Sequence, residues 1–436
     1  MNAVVLAVAV MLALSVMRVN VVLALFLGAV SGGLAGGLDI KTTLGAFTDG
    51  LGGGANIAIS YGMLGAFAMA ISVSGIPQWL AGKIIASVNR SNSTNNIRYF
   101  LLGSILLMAF SSQNLIPVHI AFIPILIPPL LGVFNSLNLD RRLVSSTLTF
   151  GLTATYMLVP VGFGDIYLTQ ILAGNLQANG LDIEASMMPM AMALPVSGMF
   201  FGLLIAIFWT YRKPRQYRSD NSTIAIEDAV LSTRAVVTVG TAVVLALGTQ
   251  LTTGSMAMGA AIGFLTMVIG KVVDRREADS VFTQGMKMMA LCGFTMISAS
   301  GFAEVLRATG DIPGLVNAVE NLVMGSQPLA ALLMLLVGLL VTMGIGSSFS
   351  TLPIIATLYV PLALSLGFSP LATACIVGAA GALGDAGSPV SESTIGPTAG
   401  LDVDGQHDHI RDSVIPTFLH FNLPMIAFGW IAAMIL

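Results

Sequence analysis

The densest chemistry in the chain is Gly384-Asp385-Ala386-Gly387-Ser388-Pro389-Val390-Ser391-Glu392-Ser393-Thr394, two carboxylates and four hydroxyls that follow the uncharged run Leu371–Leu383. An ionisable group at membrane depth costs roughly 3 kcal/mol on insertion scales, so it is expected there only where it performs a task. Two glycines and a proline interrupt any helix at this point and free backbone carbonyls, which a membrane tolerates where they line a cavity. Asp385 is thus expected to handle an ion or a proton. Glu392 is a second carboxylate of the same kind, or else a solvated acid at the mouth of the cavity.

Two other stretches put neutral oxygens beside a proline. One is Ser111-Ser112-Gln113-Asn114-Leu115-Ile116-Pro117, and the other is Gly346-Ser347-Ser348-Phe349-Ser350-Thr351-Leu352-Pro353. Hydroxyl and amide oxygens are neutral ligands for a hard cation such as Na+. The N-terminus of a half-helix beyond them can hold a carboxylate. Helix–helix hydrogen bonding is the plain alternative, since serine and threonine serve it commonly in bundles. Their occurrence at matching places in both halves makes Ser111, Ser112, Gln113, Asn114, Ser347, Ser348, Ser350 and Thr351 candidate ion or substrate ligands.

Isolated polar residues carry weaker signals. His119 could titrate near neutral pH or be a structural histidine. Glu304 stands close to Arg307, as an interfacial ion pair or a proton-handling acid, and Asp49 precedes Gly52-Gly53-Gly54, expected as a loop. The tail Asp402-Val403-Asp404-Gly405-Gln406-His407-Asp408-His409 spaces acids like a calcium loop but lacks the distal glutamate and the flanking helices, so calcium is not expected.

These groups need a scaffold, and composition names it. The chain of 436 residues is 56% hydrophobic and 9% charged, with a mean hydropathy of +0.90, against about 25% charged in a soluble domain. That is an all-α polytopic membrane protein, with the lipid bilayer as its main partner. Long apolar runs exclude a transmembrane barrel of alternating ~10-residue strands. No basic stripe suggests nucleic acid, and no Walker-type sequence suggests an ATP-driven pump. Cys292 and Cys375 lie in apolar runs as packed thiols. Met1–Met17 lacks a basic leader and a cleavage signal, so it reads as a first spanning helix.

Candidate spans are Ala3–Met17, Val19–Gly36, Ala55–Gly75, Tyr99–Phe110, Val118–Val133, Val144–Gly162, Met188–Tyr211, Ala235–Leu247, Met256–Val272, Met289–Val305, Pro328–Met343, Pro353–Leu366, Leu371–Leu383 and Ile415–Leu436. Several fall short of the ~20 residues a crossing needs, so half-helices and re-entrant segments are expected. Arg18, Lys83, Arg90, Arg98, Arg141, Arg142, Arg212, Lys213, Arg215 and Arg218 mark one side, whereas Asp165–Ser186 holds no basic residue. Lysine and arginine favour the cytoplasm, which places the N-terminus outside and the central loop inside a cell (inner) membrane.

That loop is the only long polar linker, and it divides residues 1–211 and 235–436 as two repeats joined by 212–234. Phe47-Thr48-Asp49-Gly50 recurs as Phe282-Thr283-Gln284-Gly285, an offset of 235 (282 − 47). Gly75-Ile76-Pro77 recurs as Gly310-Asp311-Ile312-Pro313 at the same offset (310 − 75), with one residue inserted. The first half starts outside and the second inside, so the repeats have inverted topology, and such transporters bind near the midplane where broken helices meet. The first-half counterpart of the opening stretch, Tyr156–Asp165, offers only Asp165 as an acid.

The C-terminal residues carry a family resemblance. Gly384-Asp385, Ser388-Pro389, Ser391-Glu392-Ser393-Thr394, Ala399-Gly400-Leu401-Asp402 and Asp408-His409-Ile410-Arg411, followed by an apolar helix, resemble the C-terminal signature of NhaC-type Na+/H+ antiporters. The first-half polar breaks resemble a YuiF-like branch of that family, whose members have also been linked to amino-acid uptake. The resemblance implies the ion-transporter superfamily fold, with paired inverted repeats. It also implies an ion pathway lined by Asp385, Ser388, Ser391, Glu392 and Thr394. Glu392 departs from the aspartate of those antiporters, which shifts the carboxylate by about one methylene.

The expected activity is secondary transport rather than enzymatic catalysis, with Na+ and/or H+ as coupling ion, no cofactor, and Na+ held at Asp385, Ser347 and Ser388. Asp385, His119 and Glu304 are the candidates for handling protons. The alternative is Na+- or H+-driven symport of a small amino acid or organic acid. A channel would need a filter from several subunits. A homodimer is left open, as are the solute and the stoichiometry.

Overall fold

The computed structural model describes residues 2–17, 19–76, 94–114, 123–218, 232–311, 325–389 and 391–436, with positions 79, 82, 83, 314, 318, 321 and 323 between them. All regular structure among the described residues is helical. The first half runs α1 (Ala3–Val16), α2 (Val21–Ala35), α3 (Ile40–Gly50), α4 (Gly52–Ser72), α5 (Thr94–Asn114), α6 (Ile123–Ser136), α7 (Arg141–Leu158), α8 (Phe163–Ala178) and α9 (Ala185–Thr210). The second half runs α10 (Thr233–Thr253), α11 (Met256–Ile269), α12 (Ala278–Thr309), α13 (Gln327–Ile345), α14 (Ser348–Ser365), α15 (Pro370–Ala382), α16 (Glu392–Leu401) and α17 (His409–Ile435).

Among the described residues, Ile40–Ser72, Ala185–Thr210, Thr233–Thr253 and His409–Ile435 are long and apolar enough to cross a membrane. The pair α7 and α8, bent by 56° across a short break, passes the same test together, as a broken span or a re-entrant loop. Large apolar side chains point outward along them, among them Trp209, Val244 and Leu251. In water such a surface would be a liability, and in a bilayer it is the solvated face.

The expected loop at Gly52-Gly53-Gly54 is instead the first turn of α4, and Asp49 lies in α3. Contact explains the difference. A Cβ on Gly54 would lie 2.6 Å from the Ile297 Cα, and one on Gly65 would lie 2.3 Å from the Gly285 carbonyl oxygen. Small residues here let two helices touch backbone to backbone. Partner numbers fall as position rises, from Gly50 on Gly301 through Gly54 on Ile297 to Gly65 on Gly285, so α3–α4 and α12 run antiparallel. Gly293 packs on Ala58, an offset of 235 (293 − 58), the same offset that relates the sequence repeats. That coincidence is what an inverted repeat of the two halves would produce.

Two helices occupy the centre. The helix α7 is buried from Leu143 to Met157 and α15 from Ala372 to Ala382. Helices apolar or small on every side belong inside a bundle. Each starts on a firm cap: Asp140 accepts from the Arg142 N–H, and Ser369 accepts from the Ala372 N–H just before Pro370. Each then stops short, α7 at Val159-Pro160 and α15 at Leu383-Gly384, where Gly162 and Gly384 take φ of 64° and 90°. Only glycine adopts those angles without strain. The span Val144–Gly162 and the run Leu371–Leu383 are therefore first arms, continued by α8 and α16 as second arms that the span assignment had missed.

Candidate functional site

The last turn of α7 meets the second break at Asp385. It lies in a tight turn, Asp385–Gly387, between α15 and α16, and is 6% exposed. Four hydroxyls converge on it. Tyr156, at the end of α7, donates to Oδ2 at 2.5 Å, and Ser348, in the first turn of α14, approaches the same oxygen at 3.0 Å. Ser391 donates to Oδ1 at 2.5 Å, and Ser393 approaches it at 3.2 Å. The Ser391 hydroxyl also caps α16, accepting from the Ser393 N–H at 3.1 Å. It thus accepts from the helix with a lone pair and gives its one proton to the carboxylate.

Tyr156 Oη and Ser348 Oγ also lie 2.6 Å apart. Three oxygens then make three mutual contacts, and each contact needs one proton to be a hydrogen bond. A hydroxyl carries one proton and an ionised carboxylate none. Tyr156 and Ser348 supply two. The third exists only when Asp385 is protonated. Once the proton leaves, one contact sets lone pair against lone pair inside a buried site, which is costly unless a cation takes the vacant place.

The remaining candidates divide by position. Ser388 Oγ donates to the Met343 carbonyl at 3.0 Å, and Thr394 Oγ1 donates to the Ser388 and Ser391 carbonyls at 2.5 and 3.0 Å, so both secure the turn that carries Asp385. Ser347 stands at the head of α14, and its carbonyl accepts from Thr351. Glu392 begins α16 and is partly buried. Ser111, Ser112, Gln113 and Asn114 form the last turn of α5, where Ser112 Oγ donates to the Ala109 carbonyl. Asn114 Nδ2 donates to the Val159 and Val161 carbonyls, each at 3.0 Å, and so holds the first break. Glu304 pairs with Arg307 at 2.8 Å on an exposed face of α12, without a hydrogen bond to Asp385. His119 and the side chain of Ser350 lie outside the described residues.

Three contributors were not singled out in the sequence. Tyr156 reads as an ordinary aromatic in a helix, and Ser393 as a neighbour of better candidates. Asn422 is a lone amide within an apolar span, and the rule that flagged Asp385 applies to it too. Its Oδ1 accepts from the Gly384 N–H at 3.1 Å.

On the basic side, Arg141 is wholly buried and grips Asp404 with two hydrogen bonds of 2.7 and 2.6 Å. Burial alone would raise the Asp404 carboxyl, but the hydrogen bonds and charge of Arg141 hold it below the usual carboxylate range. Arg215 spans from Asp412, at 2.7 Å, to Asp140. These contacts tie the start of the central loop and the link between α16 and α17 to the foot of α7. Burial pushes the His407 imidazole down to about 4.

Broken helices crossing at a buried carboxylate, in an apolar-surfaced bundle, define a membrane transporter. Solved structures carry the same fold: MtrF of Neisseria gonorrhoeae, titled as illuminating a class of antimetabolite efflux pumps, aligns with a TM-score of 0.60 at 16% identity over 91% of this chain and 85% of its own. The YdaH transporter of Alcanivorax borkumensis aligns equally well, with a TM-score of 0.60 at 16% identity over 90% and 88%. Residues 147–430 match the Na+/H+ antiporter family, and residues 2–88 match a second Na+-H+ antiporter family description. Membrane proteins of Vibrio parahaemolyticus and Haemophilus influenzae are 56% and 52% identical over all of this chain and 100% and 99% of their own. YuiF of Bacillus subtilis, named as a proposed amino acid transporter, is 49% identical over the whole of both chains. The chain belongs to the Na+/H+ antiporter family.

Proposed function

We propose that the protein is an ion-coupled secondary transporter of the cell membrane in which Asp385 exchanges H+ for Na+. The carrying observation is the proton count at the triangle of Asp385, Tyr156 and Ser348, whose contacts are all satisfied only in the protonated state. Loss of that proton creates a pocket of oxygen lone pairs with one net negative charge, which is the donor set a hard monovalent cation takes. The two ions thus compete for one place, and alternating exposure of that place to the two sides gives antiport. Ser347 and Ser388, at the head of α14 and in the turn after Asp385, are the nearby neutral ligands in this reading.

A second reading is Na+- or H+-driven symport of a small amino or organic acid. The likeness to YuiF favours it. In that case the same Asp385 site supplies the coupling, and the solute occupies neighbouring ground.

Purified protein in proteoliposomes carrying a pH-sensitive dye separates the two. A Na+ gradient without organic solute should drive an internal pH change, and Asp385→Asn, which keeps the shape but cannot exchange a proton, should abolish it. Na+ uptake that requires an added amino acid selects symport. Full coupling in Asp385→Asn removes Asp385 from the site.

A further inference from the structure

Asp408-His409-Ile410-Arg411, part of the C-terminal signature, stands at the head of α17. The Asp408 carboxylate caps that helix, accepting from the Arg411 N–H at 2.7 Å. The His409 ring is spent elsewhere. Its Nε2 lies 2.9 Å from the Pro389 carbonyl oxygen, and its Nδ1 lies 2.8 Å from Thr398 Oγ1. The imidazole therefore bridges the end of the second break and the body of α16. Pro389 has no N–H, so that carbonyl is the one backbone hydrogen-bonding group it offers.

A carbonyl only accepts, so Nε2 must carry a proton. In the neutral ring this leaves Nδ1 as an acceptor for the Thr398 hydroxyl. In the charged ring Nδ1–H donates to the Thr398 oxygen, whose own proton then turns to the Thr394 carbonyl or to Ser413 Oγ, each at 2.9 Å. Both forms keep the bond to Pro389. The hold on the break is therefore a matter of geometry, not of the charge on the ring.

The break needs such a hold. Two backbone bonds within it, from the Gly387 N–H to the Gly384 carbonyl and from the Ser391 N–H to the Ser388 carbonyl, are long, at 3.2 and 3.3 Å. Helix α17 grips it at both ends instead: Asn422 takes the Gly384 N–H, one residue before Asp385, and His409 takes the Pro389 carbonyl, one residue after Ser388. We infer that His409 is a positioning residue of the coupling site, which fixes the far end of the Asp385 turn and so the placement of Asp385 and Ser388, without carrying the exchanged proton. The inference rests on the reading of Asp385 as the coupling site and adds to it a residue that holds its ligands in place. Loss of a group that orients metal ligands typically costs about 10–100-fold in metal affinity.

The full-length protein in proteoliposomes is assayed for Na+-driven internal pH change over a range of Na+ concentrations and external pH, with the Tm of each variant measured alongside. His409→Gln keeps an N–H at the reach of Nε2 but cannot take up a proton, so it should retain the wild-type KM for Na+ and the wild-type pH profile. His409→Leu keeps bulk without a donor, and should raise the KM for Na+ about tenfold or more while changing the maximal rate less. If the leucine variant does not fold, His409→Asn, whose amide is too short to reach Pro389, takes its place. An unchanged KM in the leucine or asparagine variant overturns the inference even where Tm falls, because the ring is then only packing. Loss of exchange or a shifted pH profile in His409→Gln overturns it too, because the proton on the ring is then required. Failure of the coupling reading has a different signature: Asp385→Asn that still exchanges, or a wild type that moves no protons with Na+, removes that reading and the inference with it, whatever the His409 variants do.

Discussion

A buried polar residue is informative at the scale of single atoms because each hydrogen bond needs its own proton. Asp385 was legible in the sequence through its cost, since a carboxylate after an uncharged run has to serve a purpose. Ser348 and Ser391 were legible as hydroxyls beside breaks. Tyr156 was not, because what distinguishes it is a partner 229 residues away, and no local pattern encodes that. Outside the membrane, His407 gives a prediction with a definite sign. Its imidazole is held down to about 4 from an ordinary 6.5, so between those values the unfolded chain binds a proton that the folded chain refuses. The contribution of His407 to stability is therefore complete above about pH 6.5 and is lost as pH drops toward 4. His407→Gln should flatten the dependence of Tm on pH in that window, measured in detergent by a fluorescence melt. An unchanged slope would show that some other group sets it.

At the scale of helices, glycine decides where backbones meet. Gly52-Gly53-Gly54 reads as a loop in the sequence, yet it opens α4, and Gly54, Gly65 and Gly285 are contact points between α4 and α12. The sequence gives composition, whereas contact depends on which face turns inward. The pair α9 and α17 shows the same device next to the site. A Cβ on Gly202 would lie 1.6 Å from the His420 carbonyl oxygen, at the wide turn that also carries Asn422. Overpacking of this kind typically costs about 1–3 kcal/mol, and more where the obstacle is backbone. Gly202→Val should lower Tm and, in the molecules that fold, displace the turn and weaken the hold of Asn422 on the Gly384 N–H. A control at Gly240 of α10, where no atom lies within 4 Å of an added Cβ, should leave both unchanged. Equal behaviour of the two variants would refute the contact argument.

At the scale of the whole molecule, the question is which way the halves face. The offset of 235 (293 − 58) seen in weak sequence matches is repeated by the packing of Gly293 on Ala58, and α3–α4 and α12 run antiparallel across that point. Helices related in this way enter the membrane from opposite sides, so the loops that follow equivalent broken helices should emerge on opposite sides as well. Those loops are 179–184, after α8, and 402–408, after α16. The second is bound to Arg141 and lies with Arg215 near Asp412, among the basic residues that favour the cytoplasm. The first carries Asp182 and Glu184 and no basic residue. With Cys292 and Cys375 replaced by serine, a cysteine placed at Asp182 should react with a membrane-impermeant maleimide in right-side-out vesicles only. A cysteine at the exposed Val403 should react in inverted vesicles only. Labelling of both positions from the same side would break the inverted relation between the halves, and with it the reason for placing Asp385 at the point where both breaks can open to either side in turn.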